Sequence, residues 1–95
     1  VLIQVLKYNA GDKTVADRIA SLGPIFDVSK DANAVIGVIE NWLVSLDMPT
    51  DLKSFEIAAD KVQLIEEYAQ EDPCYPLNPR KVEKGDVTKI MTKLI

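Results

Sequence analysis

Two kinds of side chain in this sequence could do chemistry. One is a single cysteine, Cys74, in the segment Asp72-Pro-Cys-Tyr-Pro-Leu-Asn-Pro-Arg80; the other is a set of neighbouring carboxylates, Glu66-Glu67 and Glu71-Asp72. A thiolate can attack an electrophile, and paired carboxylates can exchange protons or hold a hard cation. Both options narrow quickly. Adjacent residues on a helix point about 100° apart, so neither carboxylate pair converges on one ion, and both read as a solvated helix face. The sequence contains no histidine. Without one, catalytic triads, Cys–His dyads and most zinc sites cannot be completed within these residues, so no catalytic residue and no metal ligand is assigned. The four glycines stand singly, leaving no glycine-rich loop to cradle a phosphate and no cofactor-binding residue to name. A lone cysteine is more often an inert small hydrophobe than a reactive group, and packing is the plain reading of Cys74.

The elements that must position these residues read as helix after helix. Val1-Leu-Ile-Gln-Val-Leu6 is apolar from its first residue, with no cap before it, and runs to a plausible stop at Asn9-Ala10-Gly11. That blunt start leads us to expect a longer helix that has been cut, or missing upstream residues. Asp12 or Thr14 can cap the next helix, which places Val15, Ile19 and Leu22 on one face; Gly23-Pro24 closes it, with Gly23 read as the left-handed residue. Ile25-Phe-Asp-Val28 follows as a connector. Ser29 or Asp31 opens a long helix to about Leu46, whose apolar stripe is widened by Val38 and Trp42, so burial on two sides is expected, with Trp42 in the core. Gly37 inside it costs about 1 kcal/mol relative to alanine unless a neighbour needs the close approach. Pro49 turns the chain, and a fourth helix over roughly 59–71 buries Val62, Ile65 and Ala69. Beyond the proline-rich loop, Val87, Ile90, Met91, Leu94 and Ile95 repeat at helical spacing. The fold class is all-α, about five helices, in a single domain spanning 1–95.

Composition bounds the partners. Ninety-five residues, 47% hydrophobic and 27% charged, fit one small globular domain. A net charge of −4 argues against nucleic acid and against anionic membrane surfaces. Lys81, Lys84, Lys89 and Lys93 form a modest basic cluster, read as complementing the dipole of the last helix. No apolar run approaches the roughly 20 residues that span a bilayer, and the opening segment is too short for a signal-peptide core. One cysteine forms no internal disulfide, which favours a reducing compartment and hence the cytoplasm.

The segment Asp72-Pro-Cys-Tyr-Pro-Leu-Asn-Pro-Arg-Lys-Val-Glu-Lys-Gly-Asp-Val-Thr-Lys-Ile-Met91 resembles the closing signature of the iron-containing (group III) alcohol dehydrogenases. In that family a Cys after an acidic or small residue is followed by a short turn, Asn-Pro-Arg and a final helix with an acidic start. Three upstream pieces resemble the family in matching order: Val5-Leu-Lys-Tyr-Asn-Ala10, Ala16-Asp-Arg-Ile-Ala-Ser-Leu-Gly23 and Ser45-Leu-Asp-Met-Pro-Thr-Asp-Leu-Lys-Ser-Phe55. Together they span nearly the whole chain. Three departures stand out. Asp47 replaces the family's usual Gly after the long helix, Gln4 stands where many members have His, and Tyr75-Pro76 makes the loop stiffer than the usual Thr- or Gly-rich version.

The resemblance implies an enzyme with an N-terminal α/β dinucleotide-binding half and an all-helical C-terminal half. Between them a divalent metal, Fe²⁺ or Zn²⁺, held by one Asp and three His, polarises the oxygen of a small alcohol or aldehyde while NAD(P) exchanges a hydride. These residues resemble only the terminal portion of the helical half, with the metal ligands ahead of Val1. Partners implied are therefore the missing N-terminal half and upstream helices. Carried over, Cys74 becomes a substrate-pocket-lining residue, and Asn78 and Arg80 shape the loop; for Arg80, a salt bridge or a bond to helix-end carbonyls is the plainer alternative. A fragment reading also implies exposed apolar faces around Leu2, Val5 and the Trp42 helix, hence a possible homodimer, and no activity on its own. The reading from a different class is a free-standing acidic helical module that docks a partner helix.

Overall fold

The computed structural model describes residues 1–95. All regular structure is helical: five α-helices, joined by turns of 3-10 helix. They are α1 (Leu2–Asn9), α2 (Lys13–Ala20), α3 (Ala32–Ser45), α4 (Val62–Glu71) and α5 (Asp86–Leu94). No helix is long and apolar enough to cross a membrane. By packing, the chain divides into two compact units, Leu2–Thr50 and Asp51–Ile95, the latter together with Val1.

In the unit Leu2–Thr50, α3 packs against α1 and α2. The first turns are fixed by acidic caps. Asp12, in extended conformation, accepts the Val15 N–H at 3.1 Å, and Asp31 does the same for Ala34 at 3.0 Å. Each satisfies one of the N–H groups a helix start leaves open and sets negative charge at the positive end of the dipole. Buried apolar side chains come from all three helices: Ile3, Val15, Val35 and Ile36. The segment expected as a connector folds into a 3-10 turn, Gly23–Phe26, with Pro24 at its start.

Two expectations for this unit are corrected. Gly23 does not adopt a left-handed conformation; the positive φ falls on Asp27, at 57°. Glycine is required at 23 because the backbone folds back on it: a Cβ there would lie 2.3 Å from the Ser29 carbonyl oxygen. The second correction concerns α3. Val35 and Ile36 are fully buried, but Trp42 is 61% exposed, and Val44 and Leu46 are exposed with it. Periodicity identifies an apolar face without saying whether its cover lies within the same chain. Nor does Gly37 serve a close approach, for nothing lies within 4 Å of the position its Cβ would take.

The end of α3 resolves the question raised by Asp47. Its φ is 56°, its N–H bonds the Val44 carbonyl at 3.0 Å, and the Met48 N–H bonds the Leu43 carbonyl at 3.0 Å. This is the paired bonding of a Schellman stop, with an aspartate in the left-handed position that glycine usually takes. Asp tolerates that region better than most side chains.

In the unit Asp51–Ile95, α4 and α5 pack on each other around Val62, Met91 and Leu94, with Leu52, Ile57, Ile65, Val87, Ile90 and Ile95 against that centre. The apolar repeat read from 87 to 95 is the face of α5 that meets α4. The α-helix expected from residue 59 begins at Val62, after a 3-10 turn over Ala59–Lys61. The Leu52 N–H donates to the Leu94 carbonyl at 2.8 Å, tying the start of the unit to the end of α5.

Candidate functional site: the loop between α4 and α5

The proline-rich segment leaves α4 at Asp72 and reaches α5 at Gly85. Asp72 starts it: its carboxylate accepts the Cys74 N–H at 2.7 Å, and its carbonyl accepts the Tyr75 N–H at 3.0 Å. Pro73 suits this turn because it cannot continue the helix and fixes its own φ. Tyr75–Leu77 then forms a 3-10 turn. Two side chains brace the loop from within. The Tyr75 hydroxyl donates to the Val82 carbonyl at 3.2 Å, and the Asn78 amide donates to the Arg80 carbonyl at 2.5 Å. With prolines at 73, 76 and 79, these bonds give the segment a defined shape at a low ordering cost.

The sequence-predicted site residues, Cys74, Asn78 and Arg80, fall within seven consecutive positions, but they do not share a wall. Cys74 is exposed. Asn78 is half-buried and lines a groove of about 450 Å³ with Tyr75, Pro76, Pro79, Lys81 and Val82. Cys74 stands outside that groove. Arg80 is half-buried and joins the loop's bracing through its carbonyl. Partial burial, then the carboxylates of Glu66, Asp86 and Glu83, raise the Tyr75 phenol above its ordinary pKa of 10.0.

The residue that sequence reasoning misjudged is Glu66. Half of a carboxylate pair read as solvated, it is in fact only 7% exposed. Its two oxygens accept the Gly85 N–H and the Thr88 hydroxyl. Gly85 sits at φ 96°, a conformation side chains disfavour, and it directs its N–H back at α4. The signal was present: Val62, Ile65, Glu66 and Ala69 share one helical face, so the carboxylate falls among apolar neighbours. Its pair mate Glu67 is exposed, as expected for a neighbour turned about 100° away. Of the basic cluster, Lys81 pairs with Glu83 at 3.6 Å and Lys89 with Asp86 at 3.4 Å, both on the surface.

A model of the Fe-containing alcohol dehydrogenase family, C-terminal, matches residues 1–95. The chain belongs to this family. No curated protein and no solved structure matches it. For a family named for iron, the donors present here are the immediate test. The chain has no histidine, and no three of its Cys, Asp and Glu side chains gather into a group that could hold a metal ion. Glu66 spends both its oxygens on backbone and hydroxyl donors. These residues do not fit a metal centre by themselves, and what the family segment offers instead is a shaped loop on a two-helix base.

Proposed function

We propose that this chain is the C-terminal helical part of a metal-dependent, NAD(P)-linked alcohol dehydrogenase, which interconverts alcohols and aldehydes by hydride transfer in the cytoplasm. Its share is a wall of the substrate pocket. The metal, Fe²⁺ or Zn²⁺, and the nicotinamide cofactor are held by the dinucleotide-binding half and upstream helices. The observation that carries this reading is the match of the C-terminal family model to all 95 residues. The loop geometry supports the allocation of roles. Cys74, exposed at the first turn of a braced loop, presents a small soft side chain to an alcohol's carbon chain. Asn78 and Arg80 maintain the loop's shape through the bond between them. An apolar pocket discriminates one methylene by only about 1–3 kcal/mol, so the wall tunes preference among alcohols without making it absolute.

The test uses the polypeptide of the complete reading frame. Enlarging Cys74 to Phe should lower kcat/KM more for long alcohols than for short ones, roughly tenfold at the extreme, with KM for the dinucleotide unchanged. The isolated 95 residues should oxidise no alcohol with either dinucleotide. A length profile untouched by Cys74→Phe, or turnover by the isolated segment, overturns the reading. One observation favours a second reading, an acidic helical docking module: Phe26, Val38, Ile39 and Trp42 line an apolar groove of about 320 Å³. A homodimer formed through that groove would serve either reading, and sedimentation of Trp42→Ala against the unaltered protein checks it.

A further inference from the structure

The hydrogen bonds of the α4–α5 loop are nested. Asn78 reaches Arg80, Tyr75 reaches Val82 outside them, and Glu66 reaches Gly85 outside those. The inner two ties set the loop's internal shape. Only the outermost one joins the loop's far end to the helix from which the loop departs. Cys74 is already held at the end of α4 by Asp72, so what depends on Glu66 is the loop's far limb, from Asn78 to Gly85.

Glu66 is unusual on chemical grounds as well. It is the only charged side chain buried in the protein. Leaving a carboxylate out of water is costly unless its lone pairs are used, and here both oxygens accept bonds from neutral donors at the start of α5. A leucine at this place would extend the apolar face of Val62 and Ile65 and remove the desolvation cost, but it would release Gly85 and Thr88. The charge is what strengthens the tie. A glutamine could still accept from Gly85 and donate to the Thr88 hydroxyl oxygen, but it would exchange two charge-assisted bonds for weaker neutral ones.

We propose that Glu66 is a positioning residue: by holding the Gly85 N–H and the Thr88 hydroxyl, its carboxylate fixes where the Asn78–Gly85 limb of the loop stands against α4, and thereby sets the enzyme's affinity for its alcohol. The second half of this statement rests on the substrate-wall reading above; the first half does not. Glu66 touches neither substrate nor cofactor in this scheme and acts only through the loop.

The experiment has two readouts on the complete enzyme. Amide hydrogen exchange follows residues 72–85 without reference to activity. In Glu66→Gln, and more weakly in Thr88→Val, exchange at Gly85 and across 75–82 should quicken by roughly tenfold, the scale set by exchanging charge-assisted bonds for neutral ones. Amides in the interior of α4 and α5 should be unaffected. KM for the alcohol should rise by a similar factor, with KM for the dinucleotide unchanged, and Glu66→Asp should restore part of the loss. Val62→Ala is the control, because it loosens the same core without touching the tie. Unchanged loop exchange in both Glu66→Gln and Thr88→Val, or a loop opened equally by Val62→Ala, overturns the positioning role and leaves the substrate-wall reading standing. Quickened exchange with an unmoved alcohol KM overturns the substrate-wall reading, and the claim on affinity falls with it.

Discussion

Replacing Gly23 and Gly37 in turn by alanine adds the same methyl group at two places in one unit and should move stability in opposite directions. At Gly23 the new Cβ would lie 2.3 Å from the Ser29 carbonyl oxygen, 2.8 Å from its carbon and 3.0 Å from the Val28 oxygen. All three are backbone atoms, so no side chain can swing aside, and the 28–29 segment must retreat. That segment is held. The Val28 N–H bonds the Gly23 carbonyl at 3.0 Å, and the Ser29 carbonyl accepts the Asp31 N–H at 2.8 Å, immediately before the cap of α3. Overpacking of this kind costs about 1–3 kcal/mol, and weakening either bond adds about 0.5–1.5 kcal/mol. The stiffer unfolded chain offsets about 0.4–1 kcal/mol, which leaves Gly23→Ala destabilising by roughly 0.5–4 kcal/mol. At Gly37 nothing lies within 4 Å, the helix is regular, and alanine should stabilise by about 1 kcal/mol. Urea unfolding followed by far-ultraviolet circular dichroism reads both. The fluorescence of Trp42, the only tryptophan, gives a second probe inside the same unit. A Gly23→Ala protein as stable as the original would refute the close approach at Ser29. A Gly37→Ala protein that loses stability would show that this face of α3 is covered in solution by something that meets it within a methyl's reach.

Tyr75→Phe loses the bond to the Val82 carbonyl and should appear as a lower urea midpoint. The same residue predicts an alkaline limit. Its folded-state pKa lies above the unfolded value of 10.0, so the folded protein holds that proton more tightly; the stabilisation is complete below about pH 10 and is lost as pH rises through the folded value. Stability measured across that range should decline less steeply in Tyr75→Phe, and an identical decline would refute the assignment. Asp31→Ala should destabilise by about 1 kcal/mol, because the Ala34 N–H loses its acceptor, and loss of helical dichroism on mild heating checks it.

How much was legible in the sequence depended on whether a residue's role was local. Asp12 and Asp31 were recognisable as caps because a cap needs only its own next three residues. The α5 face at Val87, Ile90, Met91 and Leu94 was readable because its partner, α4, lies in the same unit. The core reading of Trp42 failed because apolar spacing shows a face and never its cover, whereas the fragment reading had expected an exposed face on that helix. Gly23 was recognised as a needed glycine for the wrong physical reason: the requirement comes from Ser29, six residues on, whose approach is set by the path of the turn. Glu66 was the instructive miss. Its helical phase already placed it with Val62 and Ile65, but its charge argued for solvent, and the donors that reconcile the two lie at Gly85 and Thr88, across the loop. The candidate residues Cys74, Asn78 and Arg80 came from resemblance, and geometry alone would have pointed first to Tyr75 and Glu66.

Three joints of the backbone, at Asp27, Asp47 and Glu56, turn left-handed on an acidic residue where glycine would relax the conformation. Putting glycine at all three would ease the backbone but would bring the formal charge from −4 to −1. Near neutrality, molecules that display Ile25, Trp42, Phe55 and Leu77 to water lose the mutual repulsion that keeps them apart. Those strained corners thus double as colloidal protection, and a version engineered for a calmer backbone should precipitate at a lower concentration than the protein it improves.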